Sequence, residues 1–314
     1  MCAKNFVTII LMNRNNKEQV RQVRKRRASV ASKRRTRNSR KGLGVVVVLV
    51  ALLCLGGISA SLTSCFLNQK PSSNSANTQQ EPAENAPVYV SPYNFSNLTR
   101  TNGRLAYVEN GVKKSQVGVD VSEFQGSINW SQVAADGIEF AIIRAGCRGT
   151  TAGTLLEDSL FETNLAGARA AGLQVGVYFY SQAVNAEEAQ AEAEFVLEKL
   201  NGANLNLPIV FDHEKTEEES RTTDIDSTSL TQAADAFCKR VEAAGYQSML
   251  YGNATDITRY NKEGALNYKV WYAEYGTSAP TARFDFCMWQ YTNAGQVDGI
   301  STDVDLNIRF TDFL

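Results

Sequence analysis

Histidine is almost missing from this chain: among 314 residues only His213 is present. A Ser-His-Asp or Cys-His nucleophilic site therefore has no second candidate base. Cysteine is sparse and badly spaced for metal. The six cysteines stand at 2, 54, 65, 147, 238 and 287, with no CxxC pair, which argues against a zinc site. Only Cys147, Cys238 and Cys287 follow residue 100, so one of them at least stays unpaired and the chain is not a disulfide scaffold. Charge is missing altogether from residues 43–64. That apolar run of about 20 residues is long enough to cross a bilayer. Aromatic residues are missing between Arg14 and Lys41. The basic stretch there has nothing to stack on a base, and no nucleic-acid partner is expected.

What is present divides the chain by charge. Residues 1–42 hold 14 Lys and Arg against a single acid, Glu18, whereas residues 65–314 hold 18 basic and 32 acidic residues. A basic block before an uncharged run reads as a cytoplasmic tail (1–42) and a transmembrane or signal-anchor segment (43–64), with the anionic body exported. Leu62-Thr63-Ser64-Cys65 also looks like a bacterial lipobox, so lipid on Cys65 is an alternative anchor. Residues 65–88, rich in Pro, Ser, Asn and Gln, read as a disordered spacer. A lead-in at 89–116 carries Asn110-Gly111, a hairpin turn signal. The body is 117–314.

Strand-like runs recur through the body at 117–121, 139–145, 174–180, 207–212, 246–251, 269–273, 286–291 and 303–306. Helical patterns at 158–171, 186–200 and 229–244 separate the earlier ones. Alternating strand and helix predicts a parallel α/β sheet, and eight strands predict closure. The last strands stand too close together for full helices. The expected fold is an incomplete TIM-like β/α barrel with eight strands, its helices regular only in the first half.

The chemistry concentrates at Asp212-His213-Glu214, which closes the apolar run Leu207–Phe211. Alternation along a strand puts Asp212 and Glu214 on one face, about 7 Å apart at Cα, and points His213 away. Two such carboxylates can divide into one protonated and one ionised acid, the division that cleavage of a glycosidic bond needs. Barrels of this class carry their sites at the carboxyl ends of the strands. Asp120 lies near the end of the first strand, and Asp303 and Asp305 lie on the eighth, its neighbour in a closed ring. Four acids, Asp120, Asp212, Glu214 and Asp305, are thus expected at one mouth. Tyr178 and Tyr180 share a face, and Tyr251, Trp271 and Trp289 lie near other strand ends, where aromatic faces can stack on pyranose rings. Arg144 is a candidate to bind sugar or to balance the acids.

Together these pieces resemble glycoside hydrolase family 25, the lysozyme (N-acetylmuramidase) family. The likeness rests on Gly118-Val119-Asp120-Val121-Ser122 with Gln125-Gly126 and Ile128-Asn129-Trp130. It continues through Phe140–Gly146, Gly176-Val177-Tyr178-Phe179-Tyr180 and Asp212-x-Glu214. Tyr251-Gly252-Asn253, Val270-Trp271-Tyr272-Ala273, Trp289-Gln290-Tyr291 and Val304-Asp305-Leu306-Asn307 complete it. Order and spacing make the set specific. The resemblance implies hydrolysis of the β-1,4 bond between N-acetylmuramic acid and N-acetylglucosamine in peptidoglycan. It implies Glu214 as general acid with Asp212 assisting, Asp120 and Asp305 completing the carboxylates, and no metal or cofactor. A wall-binding protein that kept the fold without catalysis is the alternative. The resemblance covers nothing before residue 100, and it leaves the acidic segment 216–226 without a role.

Overall fold

The computed structural model describes residues 89–216, 218–261 and 267–311. The expected tail 1–42, the apolar segment 43–64, Cys65 and the spacer 65–88 lie outside them. Among the described residues, no helix is long and apolar enough to cross a membrane.

The lead-in forms a small antiparallel sheet of β1 (Leu98–Thr101), β2 (Arg104–Glu109) and β3 (Val112–Lys113). Two Asn-Gly pairs turn it. Asn102-Gly103 and Asn110-Gly111 all have positive φ, the conformation that a two-residue hairpin turn requires. Tyr93 and Tyr107 from this region pack on Phe310 with ring centroids 4.0 and 5.5 Å away.

The body begins with β4 (Ser115–Val121), followed by β5 (Phe140–Arg148), a short flap strand β6 (Leu155–Glu157), β7 (Gln174–Tyr180), β8 (Ile209–Asp212), β9 (Ser248–Gly252), β10 (Val270–Ala273), β11 (Met288–Gly295) and β12 (Val304–Phe310). Eight of these close into a barrel, with β6 attached to the side of β5. The strands from β4 to β11 run parallel around the ring. The last, β12, runs antiparallel to both β11 and β4. The reason is the short connection 296–303. A parallel return needs a crossover of roughly a dozen residues or more, and an antiparallel one does not. The expectation that every acid stands at the carboxyl end of its strand is therefore corrected for Asp305. It sits at the start of β12, and the reversal is what delivers it to the mouth.

The helices α1 (Trp130–Ala135), α2 (Phe161–Ala170), α3 (Ala186–Leu200), α4 (Ser227–Ala243) and α5 (Ala254–Thr258) lie between the earlier strands. Their ends follow local chemistry. Asn185 accepts the Glu188 N–H at the start of α3, and Asp226 accepts from Thr228 and Ser229 at the start of α4, as capping side chains do. Helix α2 starts three residues later than its pattern suggests because Asp158 is used elsewhere: its carboxylate takes the Leu160 and Glu123 N–H groups and the Arg144 guanidinium. Strand β8 likewise starts after Pro208, which has no N–H for the ladder. The segment 218–226 is tied to α3. Arg221 forks onto Glu188 at 2.8 and 2.7 Å, and its amide donates to the Thr150 carbonyl.

Alternation splits the strand side chains into two cores. Val119, Ile143, Val177, Phe211, Tyr272 and Trp289 join the outer layer under the helices. Phe140, Ile142, Val210, Met249, Trp271 and Met288 fill the barrel. The interior leaves no spare room near its floor. A Cβ on Gly118 would stand 2.3 Å from the Phe140 ring, so glycine is needed there for close approach. Burying one such large apolar side chain contributes about 1.5–3 kcal/mol.

Candidate active site

Above the apolar filling the interior side chains turn polar. Asp120, Tyr178, Asp212, Tyr251, Gln290 and Asp305 ring a cleft of about 450 Å³, with Glu214 on its rim. The four acids picked out from the sequence thus meet in one place. Asp120 and Asp305 are direct partners in the β4–β12 register. Like charges so placed repel, and Asp120 is buried besides. Burial first, and then the Asp305 charge, hold the Asp120 carboxyl well above the ordinary range. Burial likewise pushes Asp305 up to about 6. The Asp120 Oδ1 atom accepts two amides, Gln290 Nε2 at 2.8 Å and Asn307 Nδ2 at 2.7 Å.

Asp212 is the last residue of β8, and Glu214 follows two positions later in the loop rather than on the strand. The backbone leaves the ladder there because the Lys215 N–H is taken by Asp256 Oδ1 at 2.8 Å. Asp256 is buried on α5, in a capping box with Asn253. Burial and then the charge of Asp256 push Glu214 up to about 7. Burial and the Glu214 charge hold Asp212 well above its usual value as well. Two acids so close cannot both ionise cheaply, and the pair keeps a proton into the neutral range. Asp212 Oδ1 is buried and has no hydrogen-bond partner in the protein. His213 points away, as alternation requires. Its Nε2 meets the Ala183 carbonyl at 3.3 Å and Nδ1 faces Arg259. Burial, and then the Arg259 charge, lower it to about 4, so it is neutral near pH 7.

The aromatic candidates separate. Tyr178, Tyr180, Tyr251 and Trp271 line the cleft. Tyr178 and Tyr251 both pack edge-on against Trp271. Trp289 does not reach it. It is paired with Tyr272 in register, faces the outer layer and donates its indole N–H to the Glu274 carbonyl at 2.9 Å. The expected sugar contact at Trp289 is thereby corrected. Asp303 is exposed and bonded to Gln296 outside the cleft. Arg144 lines the cleft beside a bulge in β5, but its guanidinium is engaged by Asp158 at 2.8 Å and Glu123 at 3.0 Å.

Sequence reasoning missed several lining groups. Phe124 is 73% exposed at the mouth, with the Arg144 guanidinium 4.8 Å from its ring centre. Tyr275, on the irregular connection after β10, bonds to Gln290. Gln290 and Asn307 stood inside the quoted motifs without a role. Their spacing from Asp305 and from one another was visible, but the register that brings them onto Asp120 was not. Asp256 could have been noticed from Asn253-x-x-Asp256, a capping-box spacing.

Residues 119–300 match the family model for glycosyl hydrolases family 25. Lysozyme M1 of Streptomyces globisporus is 33% identical over 201 residues, which cover 60% of this chain and 66% of that protein. The autolytic lysozyme of Clostridium acetobutylicum is 29% identical over 191 residues, covering 60% of this chain and 54% of the relative. The chain thus spans less than two thirds of the length of these curated relatives. The crystal structure of the bacterial lysozyme from Streptomyces coelicolor aligns with a TM-score of 0.51 at 28% identity, covering 61% of this chain and 90% of that one.

Proposed function

This chain belongs to the glycosyl hydrolases of family 25, and from that we propose that it is a muramidase. Its substrate is the glycan of peptidoglycan, cut at the β-1,4 bond between N-acetylmuramic acid and N-acetylglucosamine. The observation that carries this reading is the convergence of Asp120, Asp212, Glu214 and Asp305 on one aromatic-walled cleft. Similarity to Lysozyme M1 and to the autolytic lysozyme supports the substrate class.

Glu214 is the general acid. It is half-buried on the rim and is pushed up to about 7, so it holds a proton at the pH where it must donate to the leaving oxygen. Asp212 assists. Its unpartnered Oδ1 is an acceptor waiting in a buried site, and the acetamido N–H of the substrate is the donor that suits it. That contact favours ionised Asp212 and passes the shared proton to Glu214. It also orients the acetamido oxygen to attack the anomeric carbon while Glu214 protonates the departing oxygen, a substrate-assisted route. Water then opens the cyclic intermediate and returns a proton to Glu214. Tyr180, Tyr178, Trp271 and Tyr251 form the sugar-facing wall, and Phe124 offers an exposed ring at the entrance.

The location is part of the same proposal. The uncharged run 43–64 behind a block of 14 cationic residues supports a membrane-held body on the outer side. The anchor is the apolar segment itself or lipid on Cys65.

The test is release of reducing ends from purified glycan strands by wild type, Glu214→Gln and Asp212→Asn. Loss of a positioned acid or its partner costs about 10²–10⁴-fold. Glu214→Gln within about threefold of wild type would contradict the assignment, being far below that range. Retention of the anomeric configuration in the first-formed product, read by proton NMR, supports the acetamido route, and inversion excludes it.

A further inference from the structure

We propose that Asn307 and Gln290 are positioning residues that hold Oδ1 of Asp120 as an acceptor only, leaving Oδ2 and Asp305 to carry the proton of that carboxylate pair. The inference deepens the muramidase reading and rests on Asp120 and Asp305 belonging to its active site.

The argument starts from a group with no ambiguity. An indole N–H can only donate. Trp271 Nε1 lies 2.8 Å from Asn307 Oδ1, so the amide oxygen of Asn307 must face the indole. Its NH₂ is thereby aimed at Asp120 Oδ1, 2.7 Å away. Gln290 holds the same oxygen from the other side, its sense following from the Asp120 acceptor rather than from the phenols beside it, which can donate or accept. Its Oε1 accepts the Tyr251 hydroxyl at 2.8 Å and the Tyr275 hydroxyl. Its Nε2 then donates to the same Asp120 oxygen at 2.8 Å. A carboxylate oxygen has two lone pairs, and both are taken. A proton on Oδ1 would meet two donors.

The proton must be somewhere in the pair. Asp120 is buried and stands opposite Asp305 in the ladder. Asp212 faces it from β8, and Tyr178, Tyr251 and Tyr275 surround it with phenols. Glu214 adds another acid to the cleft, and Arg144, the cation that lines it among the described residues, is spent on Asp158 and Glu123. With Oδ1 closed, the shared proton has a defined home on Oδ2 or Asp305. The pair then presents one O–H donor and one anionic acceptor in fixed places, the pattern that reads a sugar hydroxyl. The amides also favour ionised Asp120, so they keep the pair from becoming doubly protonated near neutrality.

The experiment follows the aspartate carboxyl carbons by ¹³C NMR during a pH titration of the ligand-free protein, with Asp120→Asn used to assign the signals. Asn307→Leu removes the donor without adding charge. Trp271→Phe keeps the amide but releases its orientation. Asn307→Leu is expected to raise the Asp120–Asp305 midpoint by about one pH unit, tenfold in proton affinity. Trp271→Phe should move it the same way by less. The pH profile of kcat/KM on glycan should follow on its acid limb. A midpoint that is unmoved or lowered in folded variants overturns the proposal, and Trp271→Phe decides alone if Asn307→Leu does not fold. A moved midpoint with an unmoved kcat/KM profile overturns the tie to the active site. A wild type inert on glycan would sink the muramidase reading, while the titration still decides the clamp.

Discussion

At Glu214 two influences add: burial, and the negative charge of Asp256 on α5. Both penalise the ionised form, so the carboxyl keeps its proton up to about pH 7. A general acid works only while protonated. Activity should therefore peak on the acidic side of neutral, where Asp120 and Asp305 set the acid limb, and fall as pH rises through about 7, by about tenfold per unit where a single deprotonation controls kcat/KM. Asp256→Asn removes the neighbouring charge yet keeps an oxygen for the Lys215 N–H. It should move the alkaline limb to lower pH. Rates measured from pH 5 to 9 check both statements, and a rate that climbs throughout would refute the acid role. Much of this was legible beforehand. Alternation put Asp212 and Glu214 on one face and pointed His213 away, and both acids line the cleft, although Glu214 reaches it from the loop after β8. What failed was Trp289, because its direction depends on register. Trp271 and Trp289 look equivalent in their separate strands. Only the pairing of Trp289 with Tyr272 shows that it lies on the outer side.

Among the elements, α3 and α4 were legible because each carries its own period and a capping side chain, whereas α1, only six residues long, was not. Expected helix limits of 186–200 coincide with α3, and 229–244 differs from α4 by a turn fraction at each end. The direction of β12 was not legible. It depends on the length of one connection, and β11 runs on to Gly295, past the expected limit of 291, which shortens that connection to 296–303. Gly118 shows a second kind of hidden constraint. Within its strand it is a small residue of a quoted motif with no stated reason to be glycine, and its necessity lies on β5, in the ring of Phe140. Gly118→Ala should overpack the barrel interior and cost about 1–3 kcal/mol, as insertion into a filled core does. Urea unfolding of the two proteins measures it. A stability equal to wild type would show that the Phe140 ring can yield.

For the whole molecule, the anchor separates from the barrel as a question of processing. A spanning helix holds a protein in the membrane alone, whereas a lipid chain usually needs a second attachment. Expression with a tag at each end, for wild type and Cys65→Ala, distinguishes them. A full-length membrane species unchanged by the substitution identifies the helix. A product beginning at Cys65 and lost in the variant identifies lipid. Wild-type body found only in the medium would refute both.

Because β12 runs backwards, Phe310 lies opposite Ser115, and the barrel receives and releases its chain at the floor. Tyr93 lies against Phe310, and Tyr89 bonds to the Phe284 carbonyl and to Asp285 nearby, so the lead-in starts at that end too. Among the described residues, the mouth is touched by neither. Such a body has no obligatory first strand, and circular permutation should preserve it. A short Gly-Ser bridge from residue 311 to residue 89, with new ends opened at the exposed Asn201-Gly202 turn, should give a folded protein with an intact cleft. Circular dichroism and glycan cleavage by the rearranged chain test this. A permutant that does not fold would mean that the order in which the strands emerge, and not only their final pairing, is needed to close the ring.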